Sequence, residues 1–320
     1  MFLKELCELN GVSGDEHAVR NFLKEKITPY ADDLTVDTMG NLIVLKKGQN
    51  PGKKLMISAH MDEVGLIISG ITDKGFLRFK TVGGIDTRVL ISKKVVIGEK
   101  KIPGVIGMKA IHLQKRSERE TVPEIQSLFI DIGASSEEAK ELVSIGEYAS
   151  FDTQYAEIGS GKIKAKALDD RAGCAVLLEL IQKPVKYDTY FCFLVQEEVG
   201  LRGAQIAAYC LQADAALVLE ATTCSDVAGC KEHQFVTQLG GGVALSARDR
   251  ASIADLKLRK FLEDTAQKNQ IPYQYKKTTA GGNDAGAIHI SGRGIPTASL
   301  SVPCRYLHSP AGLIAASDLS

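Results

Sequence analysis

The sequence predicts an α/β fold in which a mostly parallel, mixed sheet carries helices on both faces and is interrupted by a small β-barrel. Apolar helices alternate with short apolar strands before residue 70 and after residue 162, which is typical of a parallel sheet wrapped by helices. Between these limits, short β-type runs separated by glycines favour a small barrel or sandwich. We therefore assign residues 1–70 and 163–320 to a discontinuous α/β domain and residues 71–162 to an inserted β-rich domain.

The N-terminal segment shows two helical patterns and then two strand patterns. Apolar residues recur at intervals of three and four residues, the spacing of an amphipathic helix, and Asp15 precedes the second helix as a candidate cap. Strands are predicted at Leu42–Lys46 and Leu55–Ala59, on either side of a turn that contains glycine and proline. The helical positions are Leu3, Leu6 and Cys7 in the first helix and Val19, Phe22, Leu23 and Ile27 in the second.

The inserted segment shows five β-type runs and a single helix. Ser135 and Glu138 stand at the spacing of a capping box, directly ahead of that helix. Because short strands leave unpaired edges, we expect this segment to supply contacts between subunits. The predicted runs are Phe76–Phe79, Val89–Ile91, Lys94–Ile97, Gly104–Met108 and Phe129–Ile132.

The C-terminal half returns to alternating helices and strands. Its strands are apolar along most of their length, as is typical of a sheet that is covered on both faces. The predicted helices are Ala172–Ile181, Arg202–Leu211 and Ile253–Gln267, and the predicted strands are Thr189–Val195, Ala215–Leu219 and Thr297–Val302.

The composition excludes several classes of protein. Lys+Arg 39 against Asp+Glu 39 give a formal net charge of zero, so no basic surface for nucleic acid is predicted. The apolar runs are far shorter than the ~20 residues of a membrane span, and Lys4 and Glu5 interrupt the position of a signal-peptide core. Seven cysteines without a CxxC pair are typical of reduced thiols. We therefore expect a cytoplasmic protein that binds neither nucleic acid nor membranes.

Histidine and acidic side chains follow the predicted strands at their carboxyl ends, where open α/β sheets place their sites. His60 follows Leu55–Ala59, and Asp62 lies two residues on, where its carboxylate can accept the second ring N–H of His60. This pair is a weak signal on its own, because a histidine with satisfied hydrogen bonds at a strand end is the more frequent case. Asp169 and Asp170 likewise precede a helix, where capping is the simpler explanation.

Further acidic residues close two apolar strands. Glu197 and Glu198 end one of them, and burying two adjacent acids is costly unless a cation or a proton compensates. The residues alone do not decide which of these two acids would hold a metal. Two histidines and three carboxylates suit two divalent cations of the zinc type, with one carboxylate bridging them. The five candidate ligands beside strand ends are His60, Asp169, Glu198, Glu220 and His308.

Six short motifs follow one another along the chain: HMDEVG, ALDDRAG, QEEVGLRGA, LEAT, GGNDAGAIH and PCRYLHSP. This set resembles the M42 metallopeptidase family, the group of glutamyl and TET-type aminopeptidases, and the resemblance covers nearly the whole chain. It implies a zinc-peptidase-like catalytic domain with an inserted PDZ-like domain that is used in oligomerisation. Asn283 stands where the family motif has threonine, a change that can alter the substrate pocket.

The resemblance also implies a role for each candidate residue. Asp62 would orient His60, Glu197 would act as the general base, and the peptide bond between Asp169 and Asp170 would be cis. The implied metal sites are His60 and Glu220 for one ion, Glu198 and His308 for the other, and Asp169 as the bridge between them.

These residues predict an aminopeptidase that hydrolyses N-terminal residues from short peptides. It would use two divalent metal ions, zinc or cobalt, and a water shared between them, whose proton Glu197 would accept. The resemblance further implies a homo-oligomer, which in family members is often a dodecamer. One alternative is a metal-containing binding or assembly module without activity. The other is a glycoside hydrolase, which the carboxylate pairs suggest but the two histidine ligands and the absence of tryptophan disfavour.

Overall fold

The structure is a computed structural model and describes residues 1–50 and 52–319. The strands are β1 (Asp33–Val36), β2 (Leu42–Lys46), β3 (Lys54–His60), β4 (Gly65–Ile71), β5 (Leu77–Val82), β6 (Lys94–Ile97), β7 (Ile102–Met108), β8 (Leu128–Asp131), β9 (Tyr148–Phe151), β10 (Ala156–Ile158), β11 (Lys162–Ala165), β12 (Asp188–Leu194), β13 (Ala215–Thr223), β14 (Val243–Leu245), β15 (Tyr273–Tyr275), β16 (Thr297–Cys304) and β17 (Gly312–Ala315). The helices are α1 (Leu3–Glu8), α2 (His17–Ile27), α3 (Arg116–Glu120), α4 (Ser136–Leu142), α5 (Leu168–Leu180), α6 (Arg202–Leu211), α7 (Leu256–Lys268) and α8 (Ala285–Ile288). None of these helices has the length and apolar composition needed to cross a bilayer.

The α/β part is built on an eight-stranded sheet with the strand order β1-β2-β12-β3-β13-β16-β14-β15. The four central strands β12, β3, β13 and β16 run parallel, and β2 and β14 pair antiparallel with them. Leu194 pairs with His60 and Glu220 pairs with Ser301, so the carboxyl ends of the central strands meet at one edge. The predicted mixed α/β sheet, with mostly parallel pairing, is confirmed.

Helices cover both faces of this sheet. On one face α1, α2 and α5 pack on the strands, and Leu23, Leu177 and Phe191 are buried there. On the other face α6 and α8 bury Ala207 and Ile288 against the sheet. Because both faces are covered, side chains at the carboxyl edge of the central strands are the ones that can reach a cavity.

A closed barrel with the strand order β4-β5-β8-β7-β6-β9 lies between β3 and β10 in the chain. Its interior is filled by apolar side chains, among them Leu66, Leu77, Ile106 and Ile130. Closure gives each strand a neighbour on both sides. The predicted small β-barrel is confirmed. The expectation of unpaired strand edges in this segment is wrong, because the short strands pair with one another around the closed barrel.

The barrel occupies a slightly different part of the chain from the predicted insert. Its strands begin at Gly65 and end at Phe151, whereas the sequence analysis placed the insert at residues 71–162. The later strand β11 pairs instead with β17 near the end of the chain, in a three-stranded sheet with β10. The division into two domains stays a prediction, for which the strands favour limits near 65 and 151.

One predicted strand, Val89–Ile91, is wrong. The residues Thr87–Val89 form a 3-10 turn, and no strand follows them before β6. The Asp86 side chain caps this turn by accepting a hydrogen bond from the Arg88 amide at 2.9 Å. The local cap therefore outweighs the β propensity of the apolar run.

The helix caps match the predictions in part. The Ser135 and Glu138 capping box is confirmed, with each side chain accepting a hydrogen bond from the other residue's amide at 3.3 and 2.8 Å. Asp15 does not cap α2, because its carboxylate lies 2.8 Å from His17 Nδ1 instead. Helix α7 begins at Leu256 rather than at Ile253.

Candidate metal centre

Asp169 lies between two histidines at the carboxyl edge of the sheet. One of its oxygens, Oδ1, is 3.2 Å from His60 Nε2, and the other, Oδ2, is 3.3 Å from His308 Nε2. Each histidine also faces a second carboxylate. His60 Nε2 is 3.2 Å from Glu220 Oε1, and His308 Nε2 is 3.2 Å from Glu198 Oε2. The structure thus brings the five candidate ligands together as two histidine–carboxylate groups that share Asp169.

The strand register explains how residues so far apart in the chain converge. His60 is the last residue of β3, Glu220 lies in β13, and Glu198 follows β12. His308 follows β16, and Asp169 lies at the start of α5. Because the parallel strands end at one edge, the other four side chains enter the same space from four different strands, and Asp169 enters it from the start of α5.

The backbone around the centre adopts conformations that side chains rarely allow. Positive φ angles between 52° and 60° occur at Ala167, Gln196, Leu201, Tyr306 and His308, all next to or within the segments that carry the site. Such conformations cost about 1–3 kcal/mol each and cluster at functional sites. The peptide bond between Asp169 and Asp170 is cis, as the family resemblance implied.

The unpaired oxygens of the centre show that a cation would fit it. In the described part of the chain, Glu198 Oε1 and Glu220 Oε2 are buried without a hydrogen-bond partner. Burying an unpaired carboxylate oxygen is costly, and a bound cation removes that cost. Imidazole nitrogen and carboxylate oxygen are also the ligand set of zinc-type ions. The residues present therefore fit the binding of divalent metal.

The raised pKa values of the metal-free centre also indicate a site for cations. Burial, and after it the negative charge of Asp169, raises the pKa of Glu198 to about 8. Burial opposes the charged form of His308, but the hydrogen bond to Asp169 and the charge of Glu198 raise its pKa to about 9. Burial, together with Asp284 and Glu198, raises the pKa of Glu197 to about 10. These acids hold protons where a cation would otherwise balance their charge.

The Asp62 carboxylate is fully buried and accepts three hydrogen bonds. The Ser13 hydroxyl donates to Oδ2 at 2.7 Å, and the amides of Glu197 and Glu198 donate to Oδ1 and Oδ2 at 3.0 and 3.1 Å. Its contact with His60 is looser, since Nδ1 lies 3.4 Å from Oδ1 and 3.1 Å from the backbone carbonyl of Asp62. His60 Nδ1 therefore contacts both the Asp62 carboxylate, its predicted partner, and the backbone carbonyl of Asp62. The hydrogen bonds that Asp62 accepts from the Glu197 and Glu198 amides were not predicted.

A cavity of about 350 Å³ opens beside the centre. Glu197, predicted as the general base, lines it together with Asp169 and His308. Apart from His308, Lys276 is the one basic side chain that lines this cavity among the described residues. Lys276 was not among the predicted site residues, because a lysine in a polar segment carries no signal of its own.

Asp284 is a second residue near the centre that was not among the predicted site residues. Its side chain is buried, both oxygens lack a partner among residues 1–50 and 52–319, and burial raises its pKa to about 7. The motif GGNDAG, in which Asp284 stands, was the available signal.

Several solved structures and sequence relatives that resemble this chain are named aminopeptidases or peptidases, and one solved structure, from Thermotoga maritima, is named an endoglucanase. An aminopeptidase from the archaeon Desulfurococcus kamchatkensis has a TM-score of 0.95 and 39% identity, covering 99% of this chain and 90% of that one. The TET1 peptidase of Pyrococcus horikoshii, which can assemble into a tetrahedron or a large octahedral shell, has a TM-score of 0.88 and 36% identity, covering 99% and 94%. Lysyl aminopeptidase of Pyrococcus furiosus is 32% identical over 326 residues, 99% of this chain and 92% of the relative. Fold and sequence place this chain in the class of aminopeptidases, which are hydrolases.

A family model also matches most of this chain. The model of the M42 glutamyl aminopeptidase family matches residues 40–320. The chain belongs to this family, and the resemblance found in its motifs is confirmed. The matched range includes the five candidate ligands as well as Asp62 and Glu197.

The raised pKa values predict that the metal-free protein loses stability as the pH rises from 6 to 9. Glu198, with a pKa of about 8, keeps a proton in the folded protein that the unfolded chain has already released. The charge of His308, whose pKa is raised from 6.5 to about 9, contributes stability to the folded protein that is complete below pH 6.5 and is lost as the pH rises to about 9. Both effects have the same sign, so we expect the Tm of chelator-treated protein to fall by several degrees over this range.

Thermal unfolding with and without added metal measures this effect. Metal-loaded protein should show a much flatter dependence, because the cations replace the protons. Glu198→Gln, which cannot ionise, should flatten the metal-free profile. A metal-free Tm that stays constant or rises between pH 6 and 9 would contradict the assignment.

Proposed function

We propose that this protein is a dinuclear-metal aminopeptidase that removes N-terminal residues from short peptides. The observation that carries the proposal is the Asp169 carboxylate, which presents one oxygen to each of two histidine–carboxylate groups. Membership of the M42 family supports the same activity. A zinc-peptidase-like catalytic domain and a PDZ-like inserted barrel are part of this proposal, as is a cytoplasmic location.

The proposed ligands divide between two ions, for which zinc and cobalt are the best candidates. His60, Glu220 and Asp169 Oδ1 would hold one ion, and His308, Glu198 and Asp169 Oδ2 would hold the other. When bound, two such cations polarise the peptide carbonyl and make water acidic enough to be deprotonated near neutral pH.

The proton transfers are assigned to Glu197. Its carboxylate lines the cavity and belongs to neither of the two groups that share Asp169, although its ligand atom also lies within 4.8 Å of those of His60 and Glu198. The positive charge of bound cations would lower the pKa of Glu197, whose carboxylate would then be available as a base at neutral pH. It takes a proton from the attacking water and returns it to the amine that leaves.

Substitutions of the two adjacent acids test these roles. Glu197→Gln keeps size and hydrogen-bonding shape but removes the proton acceptor, so metal content should stay near wild type while kcat falls about 10²–10⁴-fold. Glu198→Gln should lower metal content and activity together, and added metal should restore part of both. Metal analysis and hydrolysis of aminoacyl chromogenic substrates measure the two effects.

Three outcomes would contradict parts of this assignment. Full activity of Glu197→Gln, with loss of activity in metal-loaded Glu198→Gln, would exchange the two roles. Wild-type protein that is loaded with zinc or cobalt but cleaves no peptide in a broad panel would favour a binding module. Hydrolysis of glycosides in the presence of a chelator would favour the glycoside hydrolase.

Lys276 leads us to expect a preference for an acidic N-terminal residue. A partly buried ammonium in the cavity can pair with a substrate carboxylate, and a hydrogen bond to a charged group contributes about 1.5–3 kcal/mol. Lys276→Gln should therefore lower kcat/KM for glutamyl substrates about 10- to 100-fold and leave alanyl substrates nearly unchanged.

The neighbouring Lys277 provides a matched control. It is exposed and does not line the cavity, so Lys277→Gln should leave both substrates unaffected. A wild-type preference for lysyl or leucyl substrates, or equal losses on glutamyl and alanyl substrates in Lys276→Gln, would refute this role of Lys276.

We also propose that the protein is a homo-oligomer, as the TET1 peptidase of Pyrococcus horikoshii is, with a dodecamer as one form it can take. The barrel exposes the apolar side chains Ile111, Leu113 and Val122, which are 68%, 63% and 56% exposed. Large exposed apolar side chains are typical of contact surfaces. Because the barrel has no free edges, its contacts with other subunits would have to use such side chains.

Light scattering tests the assembly. At micromolar concentration the wild-type mass should be several times the 34.5 kDa of one chain, and Ile111→Glu combined with Leu113→Glu should reduce it. Ile253→Glu, at an equally exposed apolar position outside the barrel, should have no effect. A monomeric wild-type protein, or a loss of mass only in Ile253→Glu, would contradict the proposal.

A further inference from the structure

We propose that the N-terminal turn Val12–Glu16 positions the Glu197–Glu198 backbone, with Ser13 acting through Asp62 and Glu16 acting on the preceding amide. The expected effect of the turn on catalysis rests on the proposed function. Its expected effect on metal binding can be tested without measuring any activity.

The first contact runs through Asp62. Ser13 is buried, and its hydroxyl donates to Asp62 Oδ2 at 2.7 Å, the shortest of the three hydrogen bonds that this carboxylate accepts. The remaining two come from the amides of Glu197 and Glu198. Ser13 therefore fixes the Asp62 carboxylate, which accepts hydrogen bonds from the backbone amides of both Glu197 and Glu198.

The second contact reaches the same segment directly. Glu16 is buried, and its Oε1 accepts hydrogen bonds from the Gly14 amide at 2.7 Å and from the Gln196 amide at 3.2 Å. Gln196 has a positive φ of 57°, a conformation that its own side chain does not favour. Three successive amides, at residues 196–198, are thus bound by acceptors that the turn supplies or holds.

The turn itself is held in place by contacts with Glu63 and with the barrel residue Tyr148. The Ser13 amide donates to the Glu63 carbonyl at 3.3 Å, and Val12 forms an isolated parallel bridge with Glu63. Gly14 has a φ of +95°, and a Cβ at this position would lie 2.6 Å from the hydroxyl oxygen of Tyr148 in barrel strand β9. The turn is therefore wedged between the barrel and the segment that carries the two acids, and it has little freedom to shift.

The chemical consequence follows from the distances in the centre. Glu198 Oε2 is 3.2 Å from His308 Nε2, so a displaced Glu198 backbone separates these two ligands. Residues that orient metal ligands typically contribute about 10- to 100-fold in metal affinity or activity. Glu197 must likewise stay within hydrogen-bond reach of the proton that it moves.

Ser13→Ala and Glu16→Ala test the two contacts separately. Each should lower kcat about 10- to 100-fold with KM close to wild type, and should raise the Co²⁺ dissociation constant measured by chelator competition by a similar factor. The visible spectrum of the Co²⁺-loaded protein should change as well. Ser13→Thr, which keeps the hydroxyl, should restore most of the loss.

A buried hydroxyl at the other end of β12, the strand that precedes Glu197, serves as the control. Thr189 is the second residue of β12, and its buried hydroxyl donates to the Tyr187 carbonyl at 2.8 Å. Thr189→Val should change the Tm about as much as Ser13→Ala but should not change kcat, Co²⁺ affinity or the spectrum. A purely structural role for Ser13 predicts the same result for both variants.

The outcomes separate this inference from the proposed function. If wild-type protein cleaves no peptide, the proposed function fails, and the Co²⁺ affinity and spectrum still decide the role of the turn. Wild-type Co²⁺ affinity and kcat in folded Ser13→Ala would overturn the inference. If Ser13→Ala does not fold, Glu16→Ala decides in the same assays, and wild-type values there would also overturn it.

Discussion

Asp169 faces His60 with one carboxylate oxygen and His308 with the other, and the strands around it are arranged so that both contacts can form. The first of these pairs alone joins residues 109 positions apart in the chain. A shared carboxylate ties the two histidine–carboxylate groups to each other, so a shift of α5 would move both at once. The parallel order of β12, β3, β13 and β16 meets this requirement, because their carboxyl ends meet at one edge.

This convergence of acids has an electrostatic cost that the surrounding backbone offsets only in part. The amides of Glu197 and Glu198 compensate Asp62, whereas oxygens of Glu198 and Glu220 stay unpaired among the described residues. A protein without a use for cations at this edge would gain stability by replacing these acids with apolar side chains. The unpaired oxygens are thus best understood as the part of the centre that bound metal ions would complete.

The barrel follows directly in the chain on the edge of the sheet that carries the candidate metal centre. Strand β4 begins at Gly65, only a few residues after His60 and Asp62, and a Cβ on Gly65 would lie 2.3 Å from the Val12 side chain. The N-terminal turn therefore packs tightly against the start of the barrel. The closure of the barrel leaves its faces, rather than its strand edges, as the surfaces through which subunits could meet.

The sequence by itself determined the fold class and the five candidate ligands. Apolar runs of strand length that end in an acid or a histidine are local patterns, and the order of the strands makes their ends meet. Only the tertiary structure decided that Asp62 binds the amides of Glu197 and Glu198, that Lys276 faces the cavity, and in which strand order and register the predicted barrel closes between Gly65 and Phe151. The reason is physical: a hydrogen bond to a distant amide, and the register that closes a barrel, depend on backbone positions that every residue shares, so they leave no pattern in the side chains.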